Sequence, residues 1–339
     1  MDSITNTARF DSAVSGLCDR LRPVLERTPV SVKATAFEVR LRAGKPIAIS
    51  RGGANWFLDG NGQVSNMPRH GFTVTPGDIE KSLLRMCGYS LHTHQEDIRS
   101  GFIPLPGGHR AGVCGTAVVS GGVIGGLRDI NSINLRIARD IKDAASPVVK
   151  AAFRGGVCSL LLVGPPASGK TTVLRDLARQ LSWGAAGGHQ KVSVVDERGE
   201  IGAVHGGIPQ NDLGPCCDIL SGYPKAQGIE MAVRTLSPQV IVCDEIGGEA
   251  EVSGILDCVN CGVKIIAAAH GSSIREMLAR RQIRRLLEYG VFEKIILLSD
   301  GDSPGKIVDM MEAGDLLAED NRVPVRHSLL FHGGGDDGI

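Results

Sequence analysis

SLLLVGPPASGKTTVLRDL, residues 159–177, passes from an apolar run through a glycine-rich turn into an amphipathic segment. Gly164 to Thr171 satisfy G-x-x-x-x-G-K-[ST] at every specified position. Leu160 to Val163, led in by Val157, read as a short buried strand. Thr172 to Gln180 read as a helix with Val173, Leu174 and Leu177 on one face. A phosphate-binding turn needs that order. Gly164 and Gly169 let the backbone curl so that successive N–H groups face phosphate oxygens, and the helix N-terminus adds partial positive charge. Pro165, Pro166, Ala167, Ser168 and Thr172 complete the cradle. Lys170 has the reach and charge for β- and γ-phosphates, and the Thr171 hydroxyl can ligate Mg²⁺. The bare pattern arises by chance, but the strand before it and the helix after it are the context that makes it a nucleotide site.

Beyond this stretch, strand-like and helix-like segments alternate, the pattern of a parallel sheet with right-handed crossovers. Ligands bind such sheets at the carboxyl ends of the strands. Three further strand ends carry polar groups: Asp196-Glu197-Arg198 after Val195, Asp244-Glu245 after Cys243, and His270 after Ala269. Asp244 is placed to hold Mg²⁺ through water and Glu245 to polarise an attacking water. Glu197 is the alternative base, and residue types leave the two glutamates open. His270 is either a structural histidine or a sensor of the γ-phosphate. Arg198 and Glu200 read as pairing with neighbours. Residues 273–289 read as one basic helix carrying Arg275, Arg280, Arg281, Arg284 and Arg285. A solvated face, a nucleic-acid contact and a subunit interface all suit it, although Tyr289 is its sole aromatic for stacking on bases.

The preceding ~145 residues read as a smaller α+β unit. Residues 11–27 place Val14, Leu17, Leu21, Val24 and Leu25 at helical spacing, with Pro23 bending or interrupting them. Phe37, Val39 and Leu41 alternate with charged residues as a half-exposed strand, and Ile47 to Ile49 make another. Thr75-Pro76-Gly77-Asp78 is a helix start with Thr at the N-cap and an acid at N3. Glycine-rich hairpins fill 101–137, and 142–147 is a hinge. The expected divisions are residues 1–145, residues 146–325, and a disordered tail at 326–339.

Formal net charge is zero, from 37 basic and 37 acidic residues, so no global field draws the chain to nucleic acid or an anionic membrane. Apolar runs stop well short of the ~20 residues that span a bilayer, and MDSITNTARF is not a secretory leader. Nine cysteines at irregular spacings read as reduced thiols of a cytoplasmic protein. Cys258-x-x-Cys261 and Cys216-Cys217 are expected to be small buried hydrophobes, not a metal site. No N-K-x-D segment supports a GTPase, and no L-S-G-G-Q stretch supports an ABC-type ATPase.

GPPASGKTT, VVDERGEI, SGYPKAQGIEMAVRTLSPQVIVCDEIG and VKIIAAAHG resemble segments of the secretion-type ATPases of type II and type IV pilus machines. FEVRLRAGKPI, RSGFIPLPGGHRAGVCGTAVV and LRDINSINLRIAR are similar to segments of a sporulation-associated branch of that family. The resemblance runs in order from about residue 36 to 310. It implies an α/β protein: an AAA+/RecA-like P-loop ATPase domain with a parallel-sheet core, preceded by a smaller α+β N-terminal domain. It further implies Mg²⁺-dependent ATP hydrolysis by a hexameric ring at the inner face of the cytoplasmic membrane. The ring would work with polytopic membrane components of a channel between mother cell and forespore, and with no specific nucleic acid. On this chain it places the acidic box at Asp196-Glu197, the second acidic motif at Asp244-Glu245 and the histidine box at His270. Pilus ATPases often lack the acid that Asp244 supplies, which weakens transfer of their base assignment. An arginine finger is to be sought among Arg110, Arg128, Arg136 and Arg139. The rival readings are a RecA-like motor stimulated by nucleic acid, and a nucleotide-gated scaffold without turnover.

Overall fold

The computed structural model describes residues 3–139, 141–299 and 305–320. The expected disordered tail at 326–339 lies outside the described residues.

Two seven-stranded sheets carry the chain. The first consists of β1 (Glu38–Arg42), β2 (Ala48–Arg51), β3 (Ala54–Leu58), β4 (Val64–Ser65), β5 (Phe102–Pro104), β6 (Arg110–Ser120) and β7 (Val123–Arg136). It is antiparallel, in the order β4-β3-β2-β1-β7-β6-β5. One face packs on α1 (Ser3–Val14), α2 (Arg22–Glu26), α3 (Val30–Lys33), α4 (Pro76–Met86) and α5 (Gln95–Arg99), around a core drawn from residues 10–137. The start of α4 is as expected: Thr75 Oγ1 accepts from the Asp78 N–H at 3.2 Å and Asp78 Oδ2 accepts from the Thr75 N–H at 2.7 Å.

The second sheet runs β10-β9-β11-β12-β8-β13-β14, all parallel except the last pair. In chain order it comprises α6 (Ser146–Ala152), β8 (Leu160–Gly164), α7 (Lys170–Ser182), β9 (Val192–Asp196), β10 (Cys217–Ser221), α8 (Lys225–Leu236), β11 (Val240–Glu245) and α9 (Glu249–Asn260). β12 (Lys264–His270), α10 (Ile274–Leu278), α11 (Arg281–Glu288), β13 (Lys294–Leu298), β14 (Ile307–Glu312) and α12 (Ala313–Asp320) follow. Helices cover both faces, which is why its strands read as unbroken apolar runs. Side chains sort by parity: Leu161, Val163, Ile241, Cys243, Ile265 and Ala267 face α8, α9 and α11. Leu160, Leu162, Val240, Val242, Ile266 and Ala268 face α6 and α7.

Several expectations are corrected. The helix expected at 11–27 is two helices, because Pro23 sits in the first turn of α2 and a helix interior does not tolerate it. Its five apolar residues are nonetheless buried. Phe37 does not share the inward face of Val39 and Leu41. It lies before β1, 54% exposed, with the Arg139 guanidinium 5.1 Å from its ring centre. β10 carries no apolar run in the sequence, being a short edge strand in which Leu220 alone is buried. Cys258 is buried, but Cys261 is exposed, and Cys216 and Cys217 are half-buried. All nine cysteines are free. The basic helix expected at 273–289 breaks at Arg280 into α10 and α11.

Candidate nucleotide-binding site

The glycine-rich turn joins β8 to α7 at the carboxyl edge of the second sheet. Ala167 (φ +62°) and Gly169 (φ +88°) are both left-handed and flank Ser168, so the backbone reverses hand twice within three residues. That reversal makes peptide N–H groups converge into an anion-binding concavity. No side chain caps α7, which leaves its first-turn N–H groups to a ligand. Ser168 is wholly buried behind the turn, and a Cβ at Gly164 would meet its Oγ at 2.4 Å. Glycine is therefore required there by close approach.

Lys170 Nζ donates to the carbonyls of Gly164 (2.7 Å) and Pro165 (2.8 Å), folding over the cradle. Burial holds its ammonium below the ordinary lysine range; the Glu245 carboxylate opposes that shift and the Arg280 guanidinium adds to it. Both groups thus act on Lys170. Thr171 and Thr172 are half-buried at the start of α7. They share a cleft of about 510 Å³ with Lys170, Arg175 and Glu200 from the second sheet and Phe37, Arg110, Arg136 and Arg139 from the first half of the chain.

β12 lies between β8 and β11 and delivers its end to the same edge. His270 is in register with Gly164, and the Gly271 N–H donates to the Gly164 carbonyl at 3.3 Å. On β11 the register with β12 slips between Val242 and Glu245. The two acids at the strand's end consequently diverge. Glu245 lies 3.5 Å from Arg280 Nη1 and is near enough to Lys170 for its charge to act on the ammonium. Asp244 goes to a buried cation, Lys225 Nζ at 2.8 Å. Lys225 also donates to the Glu245 carbonyl and stands 3.8 Å from Glu251. Burial raises the Asp244 carboxyl above its ordinary range, Lys225 only partly offsets this, and the nearby Asp196 carboxylate adds to it. For Lys225, burial opposes the charge but Asp244 outweighs it, so its pKa is raised.

The acidic box divides by role. Asp196 is fully buried and its carboxylate accepts from the N–H groups of Glu200 (2.8 Å), Ile201 (3.1 Å) and Gly202 (2.7 Å), fixing the chain reversal after β9. Glu197 is exposed and lines a different cavity of about 150 Å³ with His109 and Arg110. Glu200 is the acid that β9's loop brings to the cleft of Lys170, and Arg110 Nη1 holds it at 3.0 Å. Sequence reasoning also passed over Arg175, which donates to the carbonyls of Glu200 (2.7 Å), Ile201 (3.1 Å) and Arg139 (3.3 Å). Lys225 was passed over as well, and Arg280 was read only as one of the arginines of the basic helix. Their spacing does not point to the site, because each is brought in by the start of a separate helix. Of the four finger candidates, Arg110 and Arg139 are hydrogen-bonded within the chain, Arg139 donating to the Ala34 and Ala36 carbonyls. Arg128 and Arg136, with side chains 68% and 66% exposed, stand 3.8 Å from Asp129 and Glu38.

Among the described residues no helix is long and apolar enough to cross a membrane. Two solved structures share the architecture. The Legionella pneumophila ATPase DotB matches over 85% of this chain and 80% of its own, with a TM-score of 0.52 at 15% identity. The Yersinia pseudotuberculosis ATPase DotB matches over 85% and 79%, with a TM-score of 0.53 at 15% identity. That likeness shows the fold: the second sheet is a RecA-like P-loop core preceded by an α+β unit. Stage III sporulation protein AA of Bacillus subtilis (strain 168) is 35% identical over 292 residues, 86% of this chain and 91% of that protein. The family described as sporulation stage III, protein AA, matches residues 9–315, and the chain belongs to it.

Proposed function

We propose that this chain is a Mg²⁺-dependent ATPase of the secretion-motor type that energises a sporulation-associated channel or secretion complex between mother cell and forespore. The observation that carries the reading is the meeting of Lys170, Glu245 and His270 at one sheet edge, from strands separated by about a hundred residues of chain. The cradle from Gly164 to Thr172 would take the phosphates, with Lys170 leaving the carbonyls of its own turn for the β- and γ-oxygens. Thr171 and Asp244 would hold Mg²⁺, which neutralises phosphate charge when bound. For that role Asp244 would exchange its ion pair with Lys225 Nζ, now 2.8 Å away, for the metal. Glu245 is the favoured residue for orienting water, because it faces Lys170 whereas Glu197 lines the other cavity. His270, beside Gly164, would report the γ-phosphate.

The assembly proposed is a hexameric ring in which Arg128, which does not line this chain's own cleft, is donated to a neighbour's site. It would sit in the cytoplasm, peripheral to the inner face of the membrane, docked on polytopic channel components. Nucleic acid is not part of this reading, because α11 spends Arg285 on Glu249 (3.1 Å) and presents no row of aromatics. The test is steady-state phosphate release under Mg-ATP. Lys170→Ala should reduce turnover by roughly 100-fold or more with an unchanged circular dichroism spectrum. Retained hydrolysis in that variant would contradict the assignment.

A further inference from the structure

Arg280 sits where the basic segment breaks. Its backbone is extended (φ −80°, ψ 114°) between α10 and α11, so it belongs to neither helix. The interruption takes its side chain out of the row of helical arginines to the end of β11, where Nη1 lies 3.5 Å from Glu245 Oε1 and the guanidinium charge acts on Lys170. The contact is long for a hydrogen bond, and the two side chains are 34% and 43% exposed. Such a pair contributes little stability and is readily exchanged. A guanidinium binds phosphate oxygens through two parallel donors, a stronger arrangement than this single long contact. Glu245 is also the acid that faces Lys170, so one movement of Arg280 changes the surroundings of both.

We propose that Arg280 is a positioning residue acting within its own subunit. It holds the Glu245 carboxylate while no γ-phosphate is present, and moves its guanidinium to that phosphate when ATP binds, freeing Glu245 to orient water. This deepens the ATPase reading and rests on it. The arginine fingers considered above come from a neighbour, whereas Arg280 is already in place in a single chain.

The test measures binding of ADP and of a non-hydrolysable ATP analogue, with Mg²⁺, to the full chain and to Arg280→Gln, Arg280→Lys and Lys170→Ala. Arg280→Gln should weaken the ATP analogue about tenfold while leaving ADP unchanged, because ADP has no γ-phosphate for Arg280 to reach. Arg280→Lys should recover part of the loss, since it keeps the charge but not the fork. Equal weakening of both nucleotides would make Arg280 a structural residue and overturn the proposal, as would no change in either. A parent chain that binds nucleotide no better than Lys170→Ala would overturn the phosphate-site reading itself.

Discussion

Lys170 and Asp244 illustrate how far single residues could be read. The lysine, the two threonines and the glycines of the turn were legible because their motif is local and its backbone demands are specific. What Asp244 and Glu245 face was not, because a register slip between strands is a tertiary event with no mark in VIVCDE. The pairings of Lys225 with Asp244 and of Arg280 with Glu245 were invisible for the same reason. His109 shows another residue whose state only the fold reveals. It is 1% exposed, its Nδ1 accepts from the Ala138 N–H at 2.9 Å, and burial with the nearby Arg9 charge lowers its pKa to about 4. The folded value lies below the unfolded 6.5, so the unfolded chain binds the proton first as pH falls. The stabilising contribution is whole above pH 6.5 and is lost progressively down to pH 4, about 3 kcal/mol in all. Denaturant midpoints of the parent and of His109→Gln, which keeps an acceptor for Ala138, should therefore converge as the pH is lowered from 7 to 4. Parallel curves would show that His109 titrates normally.

Among the elements, those with strong periodicity or strong punctuation are legible in the sequence with ends near the observed ones: β8, α7, β11, β12 and the boxed start of α4. Misreadings fell where a local pattern was ambiguous. Residues 273–289 have continuous helical spacing, yet the chain breaks at Arg280, and 11–27 breaks ahead of Pro23. α7 is tied to the rest by a buried network that periodicity cannot report. Asp176 Oδ2 accepts from the Ala145 N–H at 2.8 Å and from Gln180 Nε2 at 2.7 Å, while Oδ1 takes Arg179 Nη2 at 2.7 Å. This clamps the segment before α6 onto the phosphate-binding helix. Asp176→Ala strands the buried Ala145 N–H and leaves Arg179 only the exposed Asp143 carboxylate at 3.0 Å, and should cost roughly 3 kcal/mol in a urea titration. A loss below about 0.5 kcal/mol would show that water replaces the carboxylate there.

At the scale of the molecule, the two sheets bury separate cores and meet through polar contacts. Gly107 donates to Gln210 Oε1 at 2.7 Å, Arg110 pairs with Glu200 at 3.0 Å, and Lys142 stands 3.6 Å from Asp212. Such an interface can open and reclose without exposing a core, which suits a motor that moves one half against the other. The same fold houses the cleft containing Phe37, Arg136 and Lys170, whose halves come from the two sheet-bearing parts of the chain and were not paired by sequence reasoning. If subunits close the cleft further, sedimentation should show a mass near six chains with Mg²⁺ and a non-hydrolysable ATP analogue. A monomer under all conditions would remove the ring. The most direct test of the whole account is phosphate release by the parent chain under saturating Mg-ATP. The account predicts many turnovers per subunit, linear in time and in protein. Stoichiometric ATP binding with no phosphate released would instead make the chain a nucleotide-gated scaffold and contradict the motor.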